Sequence, residues 1–127
     1  MVRFLSPEWI AALDTAARDA TIPAGVRLTI QQIVTDGGDG DGEVSYHLVL
    51  DDGRLQVRPG VAEAPDVTLI QTREVAAALS SGTLNAQQAL EAGRLKLRGD
   101  IGHLGREGKA LGAMEDVFAA VRADTTY

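Results

Sequence analysis

Several groups of residues in this chain have the types and spacing that chemistry uses. The acidic run DGGDGDGE at residues 36–43 offers carboxylates at alternate positions, as a loop that wraps a calcium ion does. Such a loop also needs a glycine at its sharp turn and a late bidentate glutamate. Counted from Asp39, Asp41 and Glu43 keep the alternation, but Val44 stands where the glycine is required and a strand pattern begins. The run reads as a solvated connection between strands. His47 and His103 fall in different elements and have no HExxH relation. The serines, Ser6, Ser45, Ser80 and Ser81, do not sit in a G-x-S-x-G elbow, so no nucleophile with an oriented base is legible. No enzyme is expected, and no cofactor or metal.

The stretch EAGRLKLRGDIGHLG at residues 91–105 is more ambiguous. Its glycines continue as Gly99, Gly102, Gly105, Gly108 and Gly112. A phosphate cradle gathers its glycines between a strand and the first turn of a helix. Here they recur along a helical segment, where each costs about 0.5–1 kcal/mol relative to alanine. Two explanations stand open: close approach of the helix backbone to a sheet, or a loosely held helix beside a cavity. The RGD at Arg98–Asp100 joins a strand end to a helix cap and is read as scaffold, not as an adhesion motif.

Elements must position whatever these residues do, and composition bounds those elements. A chain of 127 residues fits one domain, residues 1–127, and can bury about two-thirds of its unfolded surface. Aromatics make up only 4%, so the core must come mainly from Leu, Val, Ile and Ala. There is no cysteine, which removes disulfides, thiolate catalysis and cysteine-type zinc sites. A net charge of −6 argues against nucleic acid as a partner. No apolar run approaches the ~20 residues of a membrane span, and the cytoplasm is the expected location. Arg outnumbers Lys ten to two, a bias that suggests a GC-rich bacterial genome.

Ser6 and Pro7 open a first helix with Trp9, Leu13, Ala16, Ala17 and Ala20 on one stripe. Val26, Leu28 and Ile30 alternate in a strand at 26–35, and the apolar phase then slips to Ile33, which predicts a bulge. EVSYHLVL alternates with Val44, Tyr46, Leu48 and Leu50 on one face, leaving Ser45 and His47 on the solvated one. Asp52-Gly53 predicts a tight hairpin into RLQVR, and DVTLI at 66–70 is a fourth strand. Two short helices follow, the first stopped by Gly82, the second capped by Asn85 and ended by Gly93. RLKLR is a fifth strand, with Leu95 and Leu97 inward. Asp100 then caps a long helix striped by Ile101, Leu104, Leu111, Met114, Phe118 and Val121. The expected fold is α+β: an antiparallel-rich sheet with helices over its apolar face.

Residues 66–102 resemble the sterol carrier protein 2 (SCP2) family. That family has a strand and helix leading to a G-K-L-N-P-x-x-A element, then a strand of the form G-K-L-K-I-x-G-D and a C-terminal helix. The matching residues are Gly82, Leu84, Asn85 and Ala89, then Gly93, Arg94, Leu95, Lys96, Leu97, Gly99 and Asp100. Thr83 and Ala86 replace the Lys and Pro that are common there. The resemblance implies a five-stranded, mostly antiparallel sheet covered on one face by four to five helices. It also implies non-catalytic binding, and transfer, of a fatty acid, fatty acyl-CoA, phospholipid or sterol in a tunnel between the layers. Membrane contact is then at most transient, and a homodimer is an open alternative. Candidate wall residues from the strands are Leu28, Ile30, Tyr46 and Leu48. From the helical side they are Leu84, Leu90, Leu104, Leu111, Met114 and Phe118. Taken singly, each is accounted for more simply by a filled core, and a tunnel shares its walls with the core. The competing reading is an interaction or dimerisation module with this fold and no lipid ligand.

Overall fold

The computed structural model describes residues 2–20, 22–35, 42–84, 86–107 and 116–127. The acidic run at 36–41, the Asn85 cap, and Gly108, Leu111, Gly112 and Met114 lie outside the described residues, as does the side chain of Leu104. In chain order the elements are β1 (Val2–Arg3), α1 (Pro7–Arg18), β2 (Arg27–Thr35), β3 (Val44–Asp51), β4 (Arg54–Pro59) and β5 (Val67–Thr72). There follow α2 (Arg73–Ser81), α3 (Ala86–Glu91), β6 (Leu95–Gly99), α4 (Ile101–Arg106), α5 (residues 116–122) and β7 (Thr125–Thr126).

Local chemistry explains most of these boundaries. The Ser6 hydroxyl accepts the Trp9 N–H at 3.1 Å and starts α1, with Pro7 in its first turn. Thr72 caps α2 in the same way through the Val75 N–H at 3.3 Å. Asp52 and Gly53 both take positive φ, 48° and 90°, which closes the β3–β4 hairpin in the primed turn form that matches strand twist. Asp100 Oδ1 accepts the His103 N–H at 2.9 Å and caps α4 as the sequence predicts.

The sheet runs β4-β3-β2-β5-β6. The β4-β3-β2 meander and the β5–β6 pair are antiparallel, and β2 pairs with β5 in parallel. The result is α+β, a mixed five-stranded sheet with five helical segments among the described residues. Register assigns the two faces. Leu28, Ile30, Gln32 and Val34 share the inner face with Tyr46, Leu48 and Leu50 of β3 and with Val67, Leu69 and Gln71 of β5. Trp9, Leu13 and Ala17 of α1 pack on the β2–β4 half of this face, and Val75 and Ala89 of α2 and α3 pack around Leu95 at the other end.

The predicted bulge is absent. Arg27 through Val34 pair with Asp51 through Val44 without a break. The apparent slip arises because both glutamines are buried, on opposite faces. Gln32 takes an inner position in the apolar phase, Gln31 is 1% exposed on the outer face, and Ile33 is only half-buried there.

Gln31 is buried because the chain crosses over it. The β4–β5 connection must pass two strands before β5 can lie beside β2. Its first residues cover Gln31, whose Oε1 accepts the Ala62 N–H at 2.7 Å and whose Nε2 donates to Gly60 O at 3.3 Å and Tyr46 O at 3.1 Å. His47 adds a ring N–H donated from Nδ1 to Gly60 O at 3.0 Å. At its far end Asp66 donates its N–H to Thr29 O and accepts the Thr29 N–H on Oδ2, at 2.9 and 2.8 Å.

Glycine has two distinct roles in the former RGD region. Gly99 has φ +99°, and a Cβ there would stand 2.3 Å from Asp66 O. Close approach to the sheet therefore explains Gly99. It does not explain the helical glycines that are described: a Cβ on Gly105 would meet nothing within 4 Å, and one on Gly102 would make ordinary contacts. The long helix expected from Asp100 is seen as α4 and α5, with Val117 and Val121 buried but Ile101 52% exposed.

Gly99→Ala should lower stability by about 3 kcal/mol, read as a fall in Tm of roughly 10 °C. Gly105→Ala should raise stability by about 0.5–1 kcal/mol in the same thermal melt. Gln31→Leu leaves the Ala62 N–H without its acceptor and the Gly60 carbonyl with only the His47 ring as donor, and should cost about 2 kcal/mol. Hydrogen exchange at the amides of residues 60–66 should accelerate with it.

Candidate functional site

Charge separates the two faces of the sheet. The outer face carries Arg27, Arg54, Arg58, Lys96 and Arg98, all exposed, together with Asp51. The inner face carries no charged side chain on any of its five strands. The strands therefore offer this face only apolar contact and neutral hydrogen bonding, while the half-buried Arg73 of α2 stands over the Phe4 ring at 5.7 Å.

The inner face is not uniform. Toward β4 it is closed: Leu28, Ile30, Leu48 and Leu50 are each 1% exposed beneath α1. All five aromatic residues of the chain meet here. Trp9 lies edge-on to Phe4 at 4.9 Å and to Tyr46 at 5.5 Å between ring centroids, and Phe118 and Tyr127 extend the group. Burial pushes the Tyr46 phenol far above its usual pKa, so it stays neutral. Toward β6 the packing loosens. Leu69 and Leu97, neighbours in register, are half-buried, and so is Leu84, which packs on the cluster around Leu95.

Between these halves lies the polar interruption of the inner face. Gln32 pairs in register with Leu69, and Gln71 pairs with Val34 on one side and Leu95 on the other. Both glutamines are 7% exposed. Gln71 Nε2 donates to Gln32 Oε1 at 2.8 Å. Gln71 Oε1 is buried and has no hydrogen-bond partner among the described residues. Leaving such an acceptor unpaired costs about 1–3 kcal/mol.

The sequence-predicted wall residues fall into separate groups. Leu28, Ile30, Tyr46 and Leu48 are together on the inner face, in the closed half. Leu84 packs on the small cluster of Val75, Ala89 and Leu95, and Phe118 packs on the main core. Leu90 is 44% exposed, because α3 turns Ala89 inward and Leu90 outward. The side chain of Leu104, and Leu111 and Met114, are outside the described residues. Sequence reasoning missed Leu69 and Leu97 as wall candidates, although their alternation with Thr68, Ile70, Lys96 and Arg98 was visible. It also missed the glutamine pair, because a polar residue in an apolar phase reads as a slip.

The described hollow and clusters elsewhere have a different character. A hollow of about 300 Å³ between α1 and the β3–β4 hairpin is lined by Asp14, Arg18, Arg54, Gln56 and Arg58 among others, a charged surface unsuited to an apolar guest. Among the described residues no group of His, Asp or Glu could hold a metal ion. His103 is half-buried, with Nε2 3.9 Å from Glu107. No helix among the described residues is long and apolar enough to cross a membrane.

Comparison with known proteins agrees with this architecture. The sterol carrier protein domain 2 of Helicoverpa armigera is 28% identical, with a TM-score of 0.56, over 75% of this chain and 71% of that one. A conserved protein of Thermus thermophilus, described as possibly a sterol carrier protein, is 18% identical with a TM-score of 0.62 over 98% and 91%, a likeness of fold. A double mutant of the sec-alkyl sulfatase PisA1 is 26% identical with a TM-score of 0.54, over 68% of this chain but 13% of that enzyme. No curated protein matches the sequence. The SCP-2 sterol transfer family model matches residues 12–106, a span from the middle of α1 to the end of α4. With that span matched, and the mixed sheet and its helical cover in place, the chain belongs to the SCP-2 sterol transfer family.

Proposed function

We propose that the protein binds an apolar lipid, and passes it on, at the loosely packed half of the inner sheet face, without covalent chemistry. Family membership supports lipid binding or transfer in general. The observation that carries the reading to this surface is the contrast within one uncharged face. Leu28, Ile30, Leu48 and Leu50 are sealed in the core with α1, whereas Leu69 and Leu97 stay half-buried, as does Leu84. Half-buried leucines on the protected side of a sheet gain free energy when an acyl chain or ring system covers them, at about 25 cal/mol per Å² removed from water. A lipid chain offers that area and asks for no specific polar contact along its length.

The site in this proposal is therefore shifted from the residues first expected. Leu69, Leu97 and Leu84 form its wall, and Leu28, Ile30 and Leu48 form the packed floor beside it. Leu90 has no part in it. The PisA1 relation fits a binding role too, since the shared region is 13% of that enzyme's chain.

Native mass spectrometry of the purified protein should show a co-purifying lipid, and a fluorescent fatty acid should titrate to saturation. Leu97→Asp should weaken uptake by about tenfold or more, because an ionised side chain is placed in the wall. His47→Ala, on the outer face, should leave uptake unchanged. Absence of both bound lipid and saturable uptake would sink the carrier reading.

A further inference from the structure

The edge strand β4 meets α1 at a hollow of about 300 Å³, at the opposite end of the sheet from the proposed lipid wall. Backbone phase opens the strand toward this side. Asp51 and Arg54 close the two-residue hairpin as a hydrogen-bonded pair, so Leu55 and Val57 turn their backbone N–H groups away from β3. Asp14 of α1 meets one of them: its Oδ1 accepts the Val57 N–H at 3.0 Å. Its Oδ2 lies 3.4 Å from Arg18 Nη2. The carboxylate is thus engaged at both oxygens. Leu55 has the same phase as Val57 and also lines the hollow.

Charge in the hollow runs against that of the chain. Arg18, Arg54 and Arg58 line it with Asp14, three guanidinium groups against one carboxylate, in a protein of net charge −6. Arg54 and Arg58 have no carboxylate partner among the described residues. Arg58 reaches only Gln56, with Nη2 3.3 Å from its Oε1. They flank Gln56 on one side of β4, and Arg18 borders the same hollow from the helix. Guanidinium forks bind the paired oxygens of carboxylate and phosphate. One carboxylate brings a single charge and leaves half of the excess in place. A phosphomonoester carries close to two negative charges at pH 7 and three acceptor oxygens. We propose that this hollow binds a phosphomonoester, with Arg54 and Arg58 as its cations and the Leu55 N–H as an added donor. Arg18 completes the ring while holding Asp14 on the strand. The phosphate group belongs either to a soluble ester or to a lipid headgroup, and the site is independent of what the inner face carries.

Glycerol phosphate titrated into the isotope-labelled protein at constant ionic strength tests the assignment by NMR. The amides of residues 53–57 should shift saturably. Succinate, a dianion whose charges sit on separate carboxylates, should need a higher concentration. Arg54→Gln combined with Arg58→Gln, both exposed positions, should weaken glycerol phosphate by about tenfold or more. Lys96→Gln combined with Arg98→Gln removes two exposed cations from the opposite edge and should leave the affinity unchanged. Thermal melting checks that each variant is folded. Cosedimentation with phosphatidylcholine vesicles containing phosphatidic acid separates the sources. Retention that is lost in the Arg54 and Arg58 variant assigns a lipid headgroup, and glycerol phosphate binding without retention assigns a soluble ester. Neither binding nor retention overturns the proposal, as does succinate binding as tightly as glycerol phosphate. Equal weakening by the two double variants also overturns it, because the attraction is then a diffuse field and not the hollow. The comparison of glycerol phosphate with succinate on the wild type decides the matter even where a variant fails to fold, and none of these failures touches the lipid-carrier reading.

Discussion

Residues 60–66 have to carry the chain past β3 and β2 before β5 can pair with β2, and everything on the β5–β6 side depends on that crossing. Three strand spacings of about 4.8 Å make roughly 14 Å, well within the reach of seven residues. Reach is not the difficulty. A segment laid across a sheet face carries backbone groups that need partners away from bulk water. One side chain meets much of that need. Gln31 accepts from Ala62 and donates to Gly60, and it stands in the row between the levels at which β4 ends and β5 begins. A leucine at that position would pack against the loop but could not hold it.

The same crossing explains Gly99. Where the loop enters β5, Asp66 lies against the end of β6, and its carbonyl accepts the Asp100 N–H at 2.8 Å. No side chain fits between the two backbones. The RGD tripeptide is thus a strand end, a close approach and a helix cap in succession, each fixed by a different physical demand. Arg98 is the member of the three that faces solvent as part of the basic outer face.

What the sequence made legible was local or periodic. Ser6, Asp52-Gly53, Gly82 and Asp100 announce their turns and caps through their own chemistry. The alternation of Tyr46, Leu48 and Leu50 gives the inner face of β3 directly. The family pattern at 82–100 implied five strands, mostly antiparallel, and a helical cover, where hairpin signals alone left only an antiparallel-rich layer. Long-range facts stayed hidden. Gln31 and Gln32 read as a slipped phase because their partners, Ala62 and Gln71, are 31 and 39 residues away. Leu90 reads as a wall residue because hydrophobicity ranks it above Ala89, yet a six-residue helix seated on β6 has room for the smaller side chain. The wall itself could not be told from the core, since both need the same residue types.

Packing differs along the sheet more than from residue to residue. Trp9 anchors the aromatic group, and with Leu13 it packs the β2–β4 half to near-complete burial. At the other end of the sheet the described packing around Leu95 is aliphatic, from Val75, Leu79, Leu84 and Ala89. Interiors built to native density leave no large voids unless something else fills them. The β5–β6 half keeps Leu69 and Leu97 half-buried and the Gln71 Oε1 without a hydrogen-bond partner among the described residues, so it departs from the sealed packing of the other half.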